Sequence, residues 1–192
     1  DNQAPAITCP PPVTVNSDPG VCYAANVSLG NPSYGDNCTG STIANNAMPP
    51  FPVGGTFVQW EVTDVSGNKS SCQQLVIVQD NEPPVALCKN ICIYLGSNGL
   101  ATITGADINN GSHDNCGIDP GPNGLVASKT SFSYADAGPN VVTLTVKDVN
   151  GNTSTCTSTV TVGEYYTLFG ADGSCSTPTG TPDACHVNIG NG

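Results

Sequence analysis

At 192 residues the chain has room for one large domain or two small ones. Only 10% of it is charged, Gly (22) and Pro (16) are abundant, and four lysines with no arginine leave a net charge of −11. That balance excludes long amphipathic helices, a phosphate-binding surface for nucleic acid, and attraction to an anionic membrane.

No apolar run is long enough to span a bilayer, so no membrane insertion is expected. The opening Asp1-Asn2-Gln3-Ala4-Pro5 does not read as a signal peptide, and a mature or excised segment is expected. Short strands are predicted over residues 6–9, 13–15, 22–29 and 42–45. Val58, Trp60 and Val62 then alternate with Gln59 and Glu61, the period of a half-buried strand. Ser66-Gly67-Asn68 supplies hairpin-turn chemistry, and a strand over 72–78 returns. Trp60 is expected in the core, opposite a disulfide.

The same order recurs. Strands are predicted at 85–88, 91–95 and 101–104. Val142, Leu144 and Val146 alternate with Thr143 and Thr145, Asn150-Gly151-Asn152 turns the chain, and 156–162 returns. Slid along itself, the sequence places Asp1-Asn2 on Asp80-Asn81 and Cys9 on Cys88. Asp36-Asn37-Cys38 falls on Asp114-Asn115-Cys116, and Gly67-Asn68 with Cys72 falls on Gly151-Asn152 with Cys156. Two homologous domains follow, 1–79 and 80–163, joined by almost no linker. A third segment, 164–192, has no counterpart. Short strands without a helix candidate indicate an all-β chain of two tandem immunoglobulin-like β-sandwiches with a C-terminal disulfide-closed tail.

Several motifs carry a resemblance. Ile7-Thr8-Cys9-Pro10, Asp36-Asn37-Cys38, Phe51-Pro52-Val53-Gly54-Gly55-Thr56, Asp64-Val65-Ser66-Gly67-Asn68 and Ser71-Cys72 resemble the hyalin repeat. Leu87-Cys88-Lys89-Asn90, Asp107-Ile108, Asp114-Asn115-Cys116-Gly117 and Asp148-Val149-Asn150-Gly151-Asn152 resemble the divergent copy found in tandem in bacterial surface proteins. That copy has Tyr134-Ala135-Asp136-Ala137-Gly138 in place of the Phe-Pro-Val-Gly block. The resemblance implies an extracellular, immunoglobulin-like, adhesion-associated protein without catalytic activity.

Ten widely spaced cysteines read as a disulfide framework from an oxidising compartment, hence an extracellular, secreted or cell-surface protein. Zinc knuckles need paired CxxC, and Cys88 with Cys92 is C-x3-C. Strand positions in a sandwich of this kind suggest the pairs Cys9–Cys72, Cys22–Cys38 and Cys88–Cys156. Cys92–Cys116 follows by elimination, and Cys175–Cys185 closes a loop in the tail.

Acidic and amide residues gather at the three places that share one end of such a sandwich. Those places hold Asp1, Asn2, Asp36, Asp64 and Asn68 in the first copy. In the second they hold Asp80, Asn81, Glu82, Asp114, Asp148 and Asn152, with 80–82 also forming the linker. Hard oxygen donors at this density suit structural Ca²⁺ better than Mg²⁺. The competing explanation is that Asp, Asn and Gly are ordinary turn residues. His113 reads as a loop residue beside Asp114.

Sequons occur at Asn26, Asn37, Asn68, Asn110 and Asn152, so glycans are a candidate modification. The Thr155, Thr157, Thr159 and Thr161 ladder fits β-propensity on a solvent face better than O-linked sugar. In the tail, Tyr165, Tyr166, Leu168 and Phe169 are the apolar anchors of a strand that packs on its own second domain or adds to a neighbouring subunit. His113 and His186 form no catalytic arrangement. The leading expectation is therefore a Ca²⁺-stiffened structural subunit whose main partner is itself, assembling into a surface filament or fibre with an adhesive role. The alternatives are a repeat fragment of a long monomeric cell-surface adhesin, or a carbohydrate-binding module.

Overall fold

A computed structural model describes residues 1–163. The chain forms two compact units, Asp1–Glu82 and a second beginning at Pro83. The predicted assembly strand and the Cys175–Cys185 loop lie outside the described residues.

The first unit contains β1 (Ala6–Thr8), β2 (Val13–Asn16), β3 (Tyr23–Ala24), β4 (Ser33–Gly35), β5 (Thr42–Asn45), β6 (Phe51–Pro52), β7 (Gly54–Thr63) and β8 (Lys69–Gln79). One sheet has the order β2-β8-β7-β5, and the pairs β1-β4 and β3-β6 stand apart from it. Pro10-Pro11-Pro12 separates β1 from β2. Three consecutive residues without an N–H cannot continue a ladder, so the chain leaves β4 and joins β8, which β2 meets in parallel. Along β7 and β8 every second residue turns inward: Val58, Trp60 and Val62 face the interior with Gln74, Val76 and Val78. Ala24 and Phe51 close the core opposite them, with half-buried Ile7, Val27, Leu29 and Ile43 around it. Trp60 sits across the ladder from Cys72. Its indole N–H donates to Gln74 Oε1 (3.1 Å), and the Gln74 amide donates to the carbonyls of Pro11 and Leu29 (both 2.8 Å). The buried glutamine is thereby fully used.

The second unit contains β9 (Ile91–Tyr94), β10 (Leu100–Thr102), α1 (Gly105–Ile108), β11 (Leu125–Ala127), β12 (Ser131–Ser133), a 3₁₀ turn (Tyr134–Asp136), β13 (Gly138–Lys147) and β14 (Thr153–Gly163). Its sheet runs β11-β13-β14-β9, with β9 parallel to β14, and β10 pairs β12. Val142, Leu144, Val146, Val160 and Val162 pack with Ile103, Ile108 and Phe132. This is the immunoglobulin-like layering again: a long hairpin at the centre and a parallel N-terminal strand at its flank.

Three local expectations are corrected. The strand predicted over 22–29 is ordered as strand only at Tyr23–Ala24, and 85–88 contributes isolated bridges from Val85 and Cys88 to His113 and Asn109. The second unit also contains a one-turn helix. The Asp107 carboxylate accepts from the Thr104 N–H (2.7 Å) and hydroxyl (2.8 Å), holding the first turn. These bonds lower the Asp107 pKa, the Thr104 backbone N–H foremost. Gly105 lets that turn approach β11, since a Cβ there would lie 2.2 Å from the Leu125 carbonyl oxygen. A single turn is too short to show a periodic apolar face in sequence.

Candidate metal centre

At the β7–β8 turn, Asp64 is buried and faces its own hairpin. Its Oδ1 accepts from the N–H groups of Ser66 and Asn68 (2.8 Å each), and its Oδ2 accepts from Asn68 Nδ2 (2.8 Å). These donors, the Asn68 side chain first, hold the Asp64 carboxyl below the ordinary carboxylate range. Asn68 Nδ2 also donates to the carbonyls of Asp1 (3.2 Å) and Gln3 (3.3 Å), clipping the N-terminal segment to the turn.

The loop after β4 arrives at the same end. Asp36 Oδ2 accepts from the Cys38 N–H (3.2 Å), while Asp36 Oδ1 is buried with no hydrogen-bond partner among the described residues. One ligand atom each from Asp1, Asp36 and Cys38 lies within 4.8 Å of the others. A carboxylate oxygen removed from water without a donor is costly, and a second carboxylate beside it adds repulsion. A cation offsets both. Two hard carboxylates suit Ca²⁺, whereas the Cys38 sulfur is a soft donor of a different preference. The donor set therefore fits calcium through Asp1 and Asp36. Asn2 is exposed next to them.

The second unit repeats the turn. Asp148 is buried, with Oδ1 accepting from the N–H groups of Asn150, Gly151 and Asn152 and Oδ2 from Asn152 Nδ2 (2.7 Å). Asp114 Oδ1 accepts from the N–H groups of Cys116 and Gly117, and Val149 N–H reaches the Gly117 carbonyl, so loop and turn are laced together. The Asp64 and Asp148 carboxylates thus accept from their own turns, the Asn68 and Asn152 amides donate to them, and all four residues act as turn anchors. Asn81 Nδ2 donates to Asn16 Oδ1 (2.8 Å), Glu82 Oε2 accepts from the Gly20 N–H (2.8 Å), and Asp80 Oδ1 accepts from the Glu82 N–H (3.1 Å). All of these bonds lie within the first unit, where the end of β2 presents Asn16 and the turn after it presents Gly20. His113 is exposed, with Nδ1 3.3 Å from the Gly111 carbonyl oxygen.

The structure joins Cys9 to Cys72 and Cys88 to Cys156, with Cα–Cα separations of 5.8 Å in each. Cys22, Cys92 and Cys116 are also in disulfides, and Cys38 is a free thiol. The expected Cys22–Cys38 pair is therefore corrected. The Cys22 carbonyl accepts from the Val53 N–H beside the start of β7, whereas Cys38 lies with Asp1 at the end reached by Asn68. The ten residues of β7 separate those ends by about 30 Å. Sequence reasoning did not foresee the thiol in the acidic cluster. Cys38 aligns with Cys116, and the repeat hides that one is bonded and the other is not.

No family model matches the chain. Over 91 residues, 44% of this chain, it is 34% identical to the Sushi, von Willebrand factor type A, EGF and pentraxin domain-containing protein 1 of Rattus norvegicus, and 33% identical to that of Mus musculus. The match spans 2% of the length of those relatives. Two similar solved structures are protocadherins. The protocadherin gammaB4 extracellular domain has a TM-score of 0.48 at 10% identity, covering 84% of this chain and 34% of that one. Human mucin-like protocadherin EC1-2 has a TM-score of 0.45 at 14% identity, covering 84% and 99%. An I-band fragment from titin reaches 0.37 at 13% identity, covering 85% and 67%. The chain consists of disulfide-bonded, immunoglobulin-like repeats. Among the described residues no helix is long and apolar enough to cross a membrane.

Proposed function

We propose that the chain is a non-catalytic structural element of an extracellular assembly. In this reading, hyalin-like repeats are stiffened by Ca²⁺ and associate with copies of themselves into a surface filament or fibre with an adhesive role. The orphaned, buried Asp36 Oδ1 beside Asp1 carries the calcium part of the reading. Asp1 and Asp36 hold the ion. Asp64 and Asn68 fix the turn behind them, so the ion ties the N-terminal segment to the loop after β4. Self-association is assigned to residues 164–192, with Tyr165, Tyr166, Leu168 and Phe169 as anchors.

Light scattering and electron microscopy on the full chain and on residues 1–163, with Ca²⁺ and then with chelator, test this directly. Filaments formed by the full chain and lost on truncation are expected, with weakening on chelation. A compact monomer under every condition contradicts self-assembly. It would instead favour a second reading, a repeat pair within a long monomeric adhesin, which the 2% coverage of the rodent relatives supports.

A further inference from the structure

The five sequons are not equivalent once the chain is folded. Asn68 Nδ2 serves Asp1, Gln3 and Asp64, so a sugar there displaces a turn-holding hydrogen bond, and Asn152 Nδ2 is held against Asp148 in its turn (2.7 Å). At Asn110 the residue is exposed, but the Ser112 hydroxyl of its sequon is occupied. It donates to the Leu87 carbonyl (3.2 Å) and accepts from the Leu87 N–H (2.9 Å). Asn37 sits inside the bend that the Asp36 carboxylate pins through the Cys38 N–H.

Asn26 differs from all four. It is exposed, Ser28 is exposed, and both lie in the irregular stretch between β3 and β4, where neither side chain is hydrogen-bonded to another of the described residues. The backbone is anchored just upstream, where the Ala25 N–H donates to Asp18 Oδ2 (2.8 Å), so the acceptor is presented from a fixed base. Beside it, Val27, Leu29, Ala47, Pro49 and Phe51 line a shallow apolar groove with room for the first sugars.

We infer that Asn26 is the N-glycan acceptor of this chain. Asn26 Nδ2 forms a bond to the anomeric carbon of an oligosaccharide carried on a lipid pyrophosphate. The sugar–phosphate bond breaks, the lipid pyrophosphate leaves with the electron pair, and the amide nitrogen gives up one proton. Ser28 supplies the hydroxyl that transfer requires at the second position after the asparagine. The inference is independent of the calcium and filament readings.

The test is secretion of the full chain from eukaryotic cells, followed by peptide mapping with and without an N-glycan-releasing amidase. The peptide bearing Asn26 is expected to carry the glycan and to read as aspartate after release. Asn26→Gln and Ser28→Ala should each abolish it, the second while leaving the asparagine in place. Because both positions are exposed, both variants should be secreted at the level of the parent. An unmodified Asn26 peptide overturns the inference, whether the other sequons are bare or the glycan sits at Asn37 or Asn110.

Discussion

Asp64 and Asp148 each turn a carboxylate back on the hairpin that carries them, and the two bond sets correspond almost atom for atom. Removing one strands several N–H groups at once. Asp148→Ala leaves three backbone donors and an amide without their acceptor, and is expected to cost roughly 3 kcal/mol in chemical denaturation. Asp64 also makes a pH prediction. Its pKa is depressed in the folded unit, so the stability it contributes is fully present above the unfolded value of about 3.9. That contribution is lost as the pH falls through the lowered value. Denaturation midpoints followed from pH 7 to pH 2 should show an acid limb that is shallower in Asp64→Asn, which keeps an acceptor oxygen but does not titrate. Gln74→Ala should be as damaging as a large core truncation, about 3 kcal/mol, because it abandons the Trp60 indole and two buried carbonyls together.

Each unit is a long hairpin with short strands fastened around it, and the disulfides bind the N-terminal segment to that hairpin. Cys9 and Cys72 are 63 residues apart, a loop whose closure limits the unfolded chain by about 4 kcal/mol. The paired Cys9→Ala, Cys72→Ala variant is expected to lose that much stability in denaturant titration while keeping the β7–β8 ladder. These central hairpins were legible because ten-residue strands alternating Val, Trp or Leu with polar residues have one interpretation. Some of the short peripheral elements were not. β3 and β6 are two residues each, with Phe51 and Ala24 buried by tertiary packing rather than by any pattern of their own. α1 is one turn held by Thr104 and Asp107, a capping signal visible only in retrospect. The acidic end was legible as a cluster of Asp and Asn. Which of them anchor turns and which stand without donors was not, because that depends on where each carboxylate rotates. Asp36 and Asp114 occupy the same repeat position, yet among the described residues Asp36 Oδ1 is buried without a hydrogen-bond partner.

At the scale of the whole chain, a net charge of −11 on 192 residues opposes close approach of acidic loops within a unit and between copies. In the proposed function, a divalent ion held by Asp1 and Asp36 would offset part of that repulsion between the acidic loops. Calcium at about a hundred times its Kd stabilises the unit that binds it by about 2.7 kcal/mol. Asp36→Asn abolishes this gain, and in chelator it leaves the fold as stable as the parent or more so, since the orphaned charge is gone. The most direct measurement is thermal unfolding of the full chain and of Asp36→Asn, each with Ca²⁺ and with chelator. The account predicts a calcium-dependent rise in Tm for the parent that is absent from the variant. An identical Tm for the parent with and without calcium would contradict it.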